Sequence, residues 1–124
     1  MAWFLRVGLA NFDGRCALTG ISHPALVNAS HIVGWAEHDG HRVNPRNGIA
    51  LNRLHDAAFD RKLITFDESL RLVVGRQLRE SLPGEELASA FLAYEGRALS
   101  PRVRHDLDAA LLEQHRDAFT AANR

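Results

Sequence analysis

The chain has 124 residues, 46% of them hydrophobic, with 15 basic and 15 acidic side chains and a formal net charge of zero. These values exclude a disordered chain, leave room for a single domain, 1–124, rather than two, and lack the basic excess that marks strong nucleic-acid binders. The one cysteine, Cys16, excludes an internal disulfide and a structural Cys-zinc site; no run of about 18 apolar residues is present to cross a membrane, and without a signal-peptide segment a cytoplasmic location is expected.

In chain order, Trp3, Phe4, Val7 and Ala10 recur at helical spacing and predict an amphipathic N-terminal helix over 3–11, weakened by Gly8. Asp13-Gly14 marks a turn, and Cys16-Ala17-Leu18-Thr19-Gly20 reads as a short extended segment. One helical turn is expected over 24–28 and a short strand over Ser30-His31-Ile32-Val33. Residues 36–47, rich in His, Gly, Asn and Pro, read as a loop ending in the turn signal Asn47-Gly48. Ile49-Ala50-Leu51 is a second strand, and Asn52 is a suitable cap for a helix over 53–62. Leu63–Phe66 and Leu70–Val74 flank Asp67-Glu68-Ser69 as a second hairpin. A helix begins near Gly84 and stops at Gly96, and a last helix is expected over 106–121.

The neutral total hides an asymmetry. Residues 1–79 carry ten basic and seven acidic side chains, while 80–124 carry five and eight. Fourteen of the fifteen basic residues are arginine, the residue type suited to bidentate phosphate contacts. A surplus of three in the first part is small for tight non-specific DNA binding, which grows with the number of phosphates neutralised.

The central strand–loop–strand–helix order brings three polar residues towards one cleft: His31 on the first strand, Asn47 at the turn and His55 on the helix. The segments Gly14-Arg15-Cys16-Ala17-Leu18-Thr19-Gly20, Ala29-Ser30-His31-Ile32, Asn44-Pro45-Arg46-Asn47-Gly48-Ile49-Ala50-Leu51-Asn52 and Leu54-His55-Asp56-Ala57-Ala58-Phe59-Asp60 resemble the HNH endonuclease family. The likeness is to the branch found as the C-terminal domain of HNH restriction endonucleases, and Tyr94-Glu95-Gly96-Arg97 and His115-Arg116-Asp117-Ala118-Phe119 extend it. The resemblance implies an α+β fold with a ββα-metal core at about 29–62, an N-terminal helix, an extra hairpin and a C-terminal helical extension at about 84–122.

The same resemblance implies hydrolysis of DNA phosphodiester bonds with one divalent metal ion, Mg2+ or Mn2+. It makes His31 the general base, His55 the metal ligand and Asn47 the residue that keeps the hairpin rigid. An imidazole titrating near neutrality suits the base role. Ser30 stands where many of the family carry a metal-binding Asp or His. A neutral hydroxyl is a weak Mg2+ ligand, which leaves Asp60, Asp56 or waters to supply the oxygens. Arg42, Arg46 and Arg53 flank the site as candidate DNA contacts, with Arg61 and Lys62 close by. Two other readings share these residues: a non-catalytic nucleic-acid-binding module that keeps the fold, and an RNase or nuclease toxin. A homodimer or a separate target-recognition domain would supply the grip on DNA that the charge does not.

Overall fold

The computed structural model describes residues 2–34, 44–81 and 84–124. Most of the loop expected over 36–47, with Arg42, lies outside them. The helix α1, Ala2–Ala10, has Phe4 and Gly8 turned inward, one helical turn apart. A Cβ on Gly8 would come within 3.0 Å of the Ala29 Cβ. The glycine that weakens the helix as a sequence is therefore what lets it cross the hairpin so closely. Trp3, Val7 and Ala10, expected on the buried face, line a surface groove instead.

The strands β1 (Val27–His31) and β2 (Gly48–Asn52) form an antiparallel pair with Val27 opposite Asn52 and His31 opposite Gly48. β1 starts three residues before the expected strand and stops before Ile32 and Val33. Those two are buried past the strand end, tied down by backbone and side-chain bonds to Asn47 rather than by a ladder. Gly48 has a packing role of its own: a Cβ there would sit 2.8 Å from Cζ of Phe4. The stretch Cys16–Gly20 is a turn, not the expected extended segment. The Gly20 N–H bonds back to the Cys16 carbonyl at 2.9 Å, and the Ala17 N–H reaches β2 at the Ala50 carbonyl.

Helix α2, Arg53–Asp60, follows β2 directly. Asn52 caps it by accepting from the Leu54 and His55 amides, both at 3.1 Å. A second antiparallel pair follows, β3 (Ile64–Phe66) with β4 (Leu72–Val74). Helix α3, Arg76–Ser81, has only Leu78 buried, which is why its sequence carries no helical apolar pattern. Helix α4, Glu85–Phe91, ends in a 3-10 turn over Leu92–Tyr94. Helix α5, Ala109–Ala122, starts later than expected because Asp108 caps it, accepting from Ala110 and Leu111. Among the described residues, no helix is long and apolar enough to cross a membrane. The architecture is α+β.

The core runs continuously from Phe12 and Leu18 through β1, β2 and α2 to β3, β4 and α5. His115 of α5 lies inside it, stacked on Phe59 of α2 with ring centres 3.8 Å apart. Its Nε2–H donates to the Phe59 carbonyl at 2.7 Å, and its Nδ1 accepts from the Thr65 hydroxyl at 2.8 Å. The carbonyl, which only accepts, fixes a proton on Nε2, and burial disfavours a second proton on Nδ1. Burial, opposed by the Phe59 carbonyl and aided by Lys62 and Arg116, pushes the His115 pKa down to about 4.

Two tests follow from this packing. Above pH 6.5, His115 is neutral in both folded and unfolded chains and costs nothing. Between 6.5 and about 4 the unfolded chain takes a proton that the folded chain refuses. The group should therefore remove stability as pH falls through that window, by roughly 3 kcal/mol in total. Urea midpoints measured from pH 7 to 4.5 should fall, and a His115→Gln variant should give a flatter profile; a flat wild-type profile contradicts the assignment. Gly48→Ala should push the Phe4 ring aside and lower stability by about 1–3 kcal/mol, read from thermal or urea unfolding.

Candidate nuclease site

Helix α2 has two faces. His55, Ala58 and Phe59 are buried in the core. Asp56, Ala57, Asp60 and Arg61 point the other way and form one wall of a surface pocket of about 450 Å³. The i, i+4 spacing of Asp56 and Asp60 sets their carboxylates one turn apart on that wall. The opposite wall comes from Asn28, Ala29 and His31 of β1 and from Gly34. The pocket thus lies between the first strand and the helix of the ββα unit.

The His31 ring stacks on Phe4 of α1, with centroids 4.0 Å apart and planes 8° from parallel. Gly48, across the hairpin from His31, leaves the space that the Phe4 ring fills. The carboxamide of Asn28 donates to Oδ2 of Asp56 at 3.0 Å, which links strand and helix inside the pocket. Asn47 is fully buried, and its carboxamide acts as a short extra rung beyond β1. Oδ1 accepts from the Val33 N–H at 2.9 Å and Nδ2 donates to the Val33 carbonyl at 3.1 Å. Its own carbonyl accepts from Ile32. The segment leaving His31 is held in this way by backbone-like bonds from one side chain.

His55 is not part of the pocket wall. It is 2% exposed, with Nε2–H donating to the Ala90 carbonyl at 2.7 Å and Nδ1 paired with the Asn52 carboxamide at 2.8 Å. Phe91 and Tyr94 flank the ring. Burial, opposed by the bond to Ala90, holds its pKa below the ordinary histidine value. Both ring nitrogens are committed to protein partners, and the side chain joins α2 to α4. The next residue, Asp56, carries the neighbouring oxygen donors into the pocket.

Ser30 also lies away from the pocket surface. It is 2% exposed, and its hydroxyl has no hydrogen-bond partner among the described residues. Arg46 and Arg53 are exposed, each tied by Nε to a backbone carbonyl, of Asp106 and Ala25 respectively. That leaves the outer guanidinium edges towards solvent. Arg61, by contrast, belongs to the pocket itself. Two contributors carried no advance signal. Asn28 faces α2 only because of the strand register, and Phe4 sits 27 positions before the histidine it supports.

Among the described residues no three of His, Cys, Asp and Glu converge into a ready metal cluster. Two carboxylates one helical turn apart beside an open, wettable pocket nevertheless suit a hard divalent cation. Mg2+ typically takes one or two carboxylates and keeps several waters. Neither the sulfur of Cys16, buried and hydrogen-bonded to Asn52 and Thr19, nor the imidazole of His55 is placed to add to that set.

Comparison with known proteins agrees with this geometry. Residues 16–67 match the family described as HNH endonuclease. No curated protein matches the chain significantly. Among solved structures, a modification dependent TagI restriction endonuclease superposes over 94% of this chain with a TM-score of 0.67 at 18% sequence identity. The chain spans 37% of that protein's length, and the likeness is one of fold. The family match starts at Cys16 and takes in β1, β2, the whole of α2 with Asp56 and Asp60, and β3. That segment, residues 16–67, is what this chain shares with the HNH endonuclease family.

Proposed function

We propose that this protein is a metal-dependent endonuclease that hydrolyses DNA phosphodiester bonds in the pocket between β1 and α2. One observation carries the reading: an imidazole on the strand and two carboxylates on the helix face the same pocket, with a guanidinium beside them. That set matches the needs of phosphodiester hydrolysis. A base must take a proton from water, negative charge on the phosphate must be countered, and the scissile group must be held still. The structural neighbour is a restriction endonuclease, which supports DNA as the substrate class.

In this reading His31 acts as general base at the pocket edge, and the Phe4 ring beneath it fixes the plane in which its nitrogens lie. Asn47 holds the chain just after His31, so that the base does not drift. Arg61 pairs with a non-bridging phosphate oxygen. Asp56 and Asp60 would hold the divalent metal. Asn28 keeps Asp56 turned into the pocket by occupying Oδ2, leaving Oδ1 for the ion. When bound, the cation supplies positive charge against the developing negative charge of the phosphate and leaving oxygen. His55 is assigned to the architecture of α2 rather than to the ion.

Nicking of supercoiled plasmid in Mg2+ or Mn2+, abolished by EDTA, tests the activity. His31→Ala should lower the rate by about 10²–10⁴; an unchanged rate sinks the mechanism. Mn2+ binding by calorimetry, with no DNA present, tests the ligands. Asp56→Asn should weaken it at least as much as Asn28→Ala, for which a loss of about tenfold is expected. His55→Gln should leave Mn2+ affinity within about twofold but lower the unfolding temperature, because two buried hydrogen bonds are disturbed. The opposite pattern, with His55→Gln abolishing binding and Asp56→Asn having no effect, would return the metal to His55.

A further inference from the structure

A second concavity lies on the other flank of α1, and the mechanism above makes no use of it. It measures about 650 Å³ and is lined by Trp3, Arg6 and Val7 of the helix, by Pro45, and by Arg104 and His105 from the segment preceding α5. Its composition is the reverse of the nuclease pocket. No carboxylate lines it, whereas two line the other. The guanidinium groups of Arg6 and Arg104 make no ion pair or hydrogen bond with any described residue. The chain's other arginines include several that are tied down, such as Arg76, Arg79 and Arg116. Trp3 is 49% exposed, an unusual solvent cost for so large an apolar ring.

The floor of this groove is rigid. Asn11, at the end of α1, accepts from the backbone amides of Arg104 and His105 at 2.9 Å and donates to the His105 carbonyl at 2.8 Å. The Val103 amide also bonds to the Asn11 carbonyl. The segment carrying Arg104 is thereby fastened to the helix carrying Trp3 and Arg6, so aromatic face and cations keep a fixed relation. The groove shares no lining residue with the site but is built on elements that support it. Trp3 adjoins Phe4, on which His31 stacks, and Pro45 lies two residues before Asn47.

An exposed indole that shares a groove with two guanidiniums unpaired among the described residues, and with no carboxylate in the lining, is a combination that can hold a nucleic-acid strand. The ring stacks a base, and the cations meet the phosphates on either side. We propose that this groove binds unpaired nucleotides of the DNA strand that passes through the His31 pocket, with a base on Trp3 and flanking phosphates on Arg6 and Arg104. The assignment rests on the DNA-endonuclease reading given above. It adds to the grip on substrate of a neutral chain, by setting two cations and an exposed aromatic ring in one groove.

The test reads binding without metal or turnover. In a Trp35→Phe background Trp3 is the only tryptophan. Adding a single-stranded oligonucleotide of about 12 nucleotides, in EDTA, should quench its emission. Trp3→Ala should weaken oligonucleotide affinity about tenfold, with Trp3→Phe recovering most of it. Arg6→Gln with Arg104→Gln should lower the slope of log affinity against log salt by about 1–2. Far-UV circular dichroism and the unfolding temperature should stay near wild type, since all three side chains lie at the surface. Unquenched emission together with affinities within twofold of wild type overturns the proposal. So does equal quenching by polyglutamate, which would assign the groove to an acidic protein. His31→Ala should remain fully quenched by DNA while failing to cut it. A protein that cuts plasmid normally yet shows no quenching loses only the groove, whereas one that binds in the groove but never cuts loses only the nuclease reading.

Discussion

Helix α2 is pinned at both ends by a buried, uncharged imidazole that donates to a backbone carbonyl. At its start His55 donates to Ala90, and near its end His115 donates to Phe59. Both histidines are 2% exposed, in surroundings where an unpaired polar group is costly and a charged one more so. The two histidines therefore stay neutral and take the tautomer that their partners dictate. This constraint sets the axial position of α2 against α4 and α5. Everything that faces the pocket from the helix, Asp56, Asp60 and Arg61, inherits its place from it. Asn52 completes the arrangement by capping the helix with its oxygen while its amide nitrogen meets Nδ1 of His55.

That arrangement separates two jobs which adjacent residues might otherwise share. His55 turns inward and Asp56 outward, so one position serves the fold and the next serves the pocket. The His55 ring engages a carbonyl with one nitrogen and a carboxamide with the other. A carboxylate has two oxygens. Asp56 can give one to Asn28 and keep the other. The chemistry of the donors, rather than their order along the chain, decides which of them suits a hard metal ion.

Much of this was legible in the sequence. The cap at Asn52 and the helical spacing of Ala58 and Phe59 describe the α2 part of the ββα unit directly, because each rests on local backbone chemistry; at Asn47-Gly48 the chain instead leaves a 3-10 turn, Pro45–Asn47, and runs straight into the extended backbone of β2. The second hairpin was equally visible from its two apolar runs. What stayed hidden depends on contacts between distant segments. Nothing near residue 55 announces that Ala90 will present a carbonyl to its ring, and nothing near Asn28 announces Asp56. The short helix α3 was invisible for a different reason: with Leu78 alone buried, it has no apolar stripe to read. The N-terminal helix is visible in its spacing, but Phe4 and Gly8 face inward while Trp3, Val7 and Ala10 do not. Gly8 contributes to the interface by having no side chain, and residue patterns register only the side chains that are present.

The stacking of His31 on Phe4 ties the proposed base to a helix outside the segment by which the family is recognised. A chain trimmed to begin at Cys16 would retain the His31, Asn47 and His55 signature and both pocket carboxylates, yet its imidazole would have open solvent where an aromatic ring now lies. In this protein the recognisable motif is smaller than the working unit, and a catalogue of motif residues alone would rank such a fragment as intact.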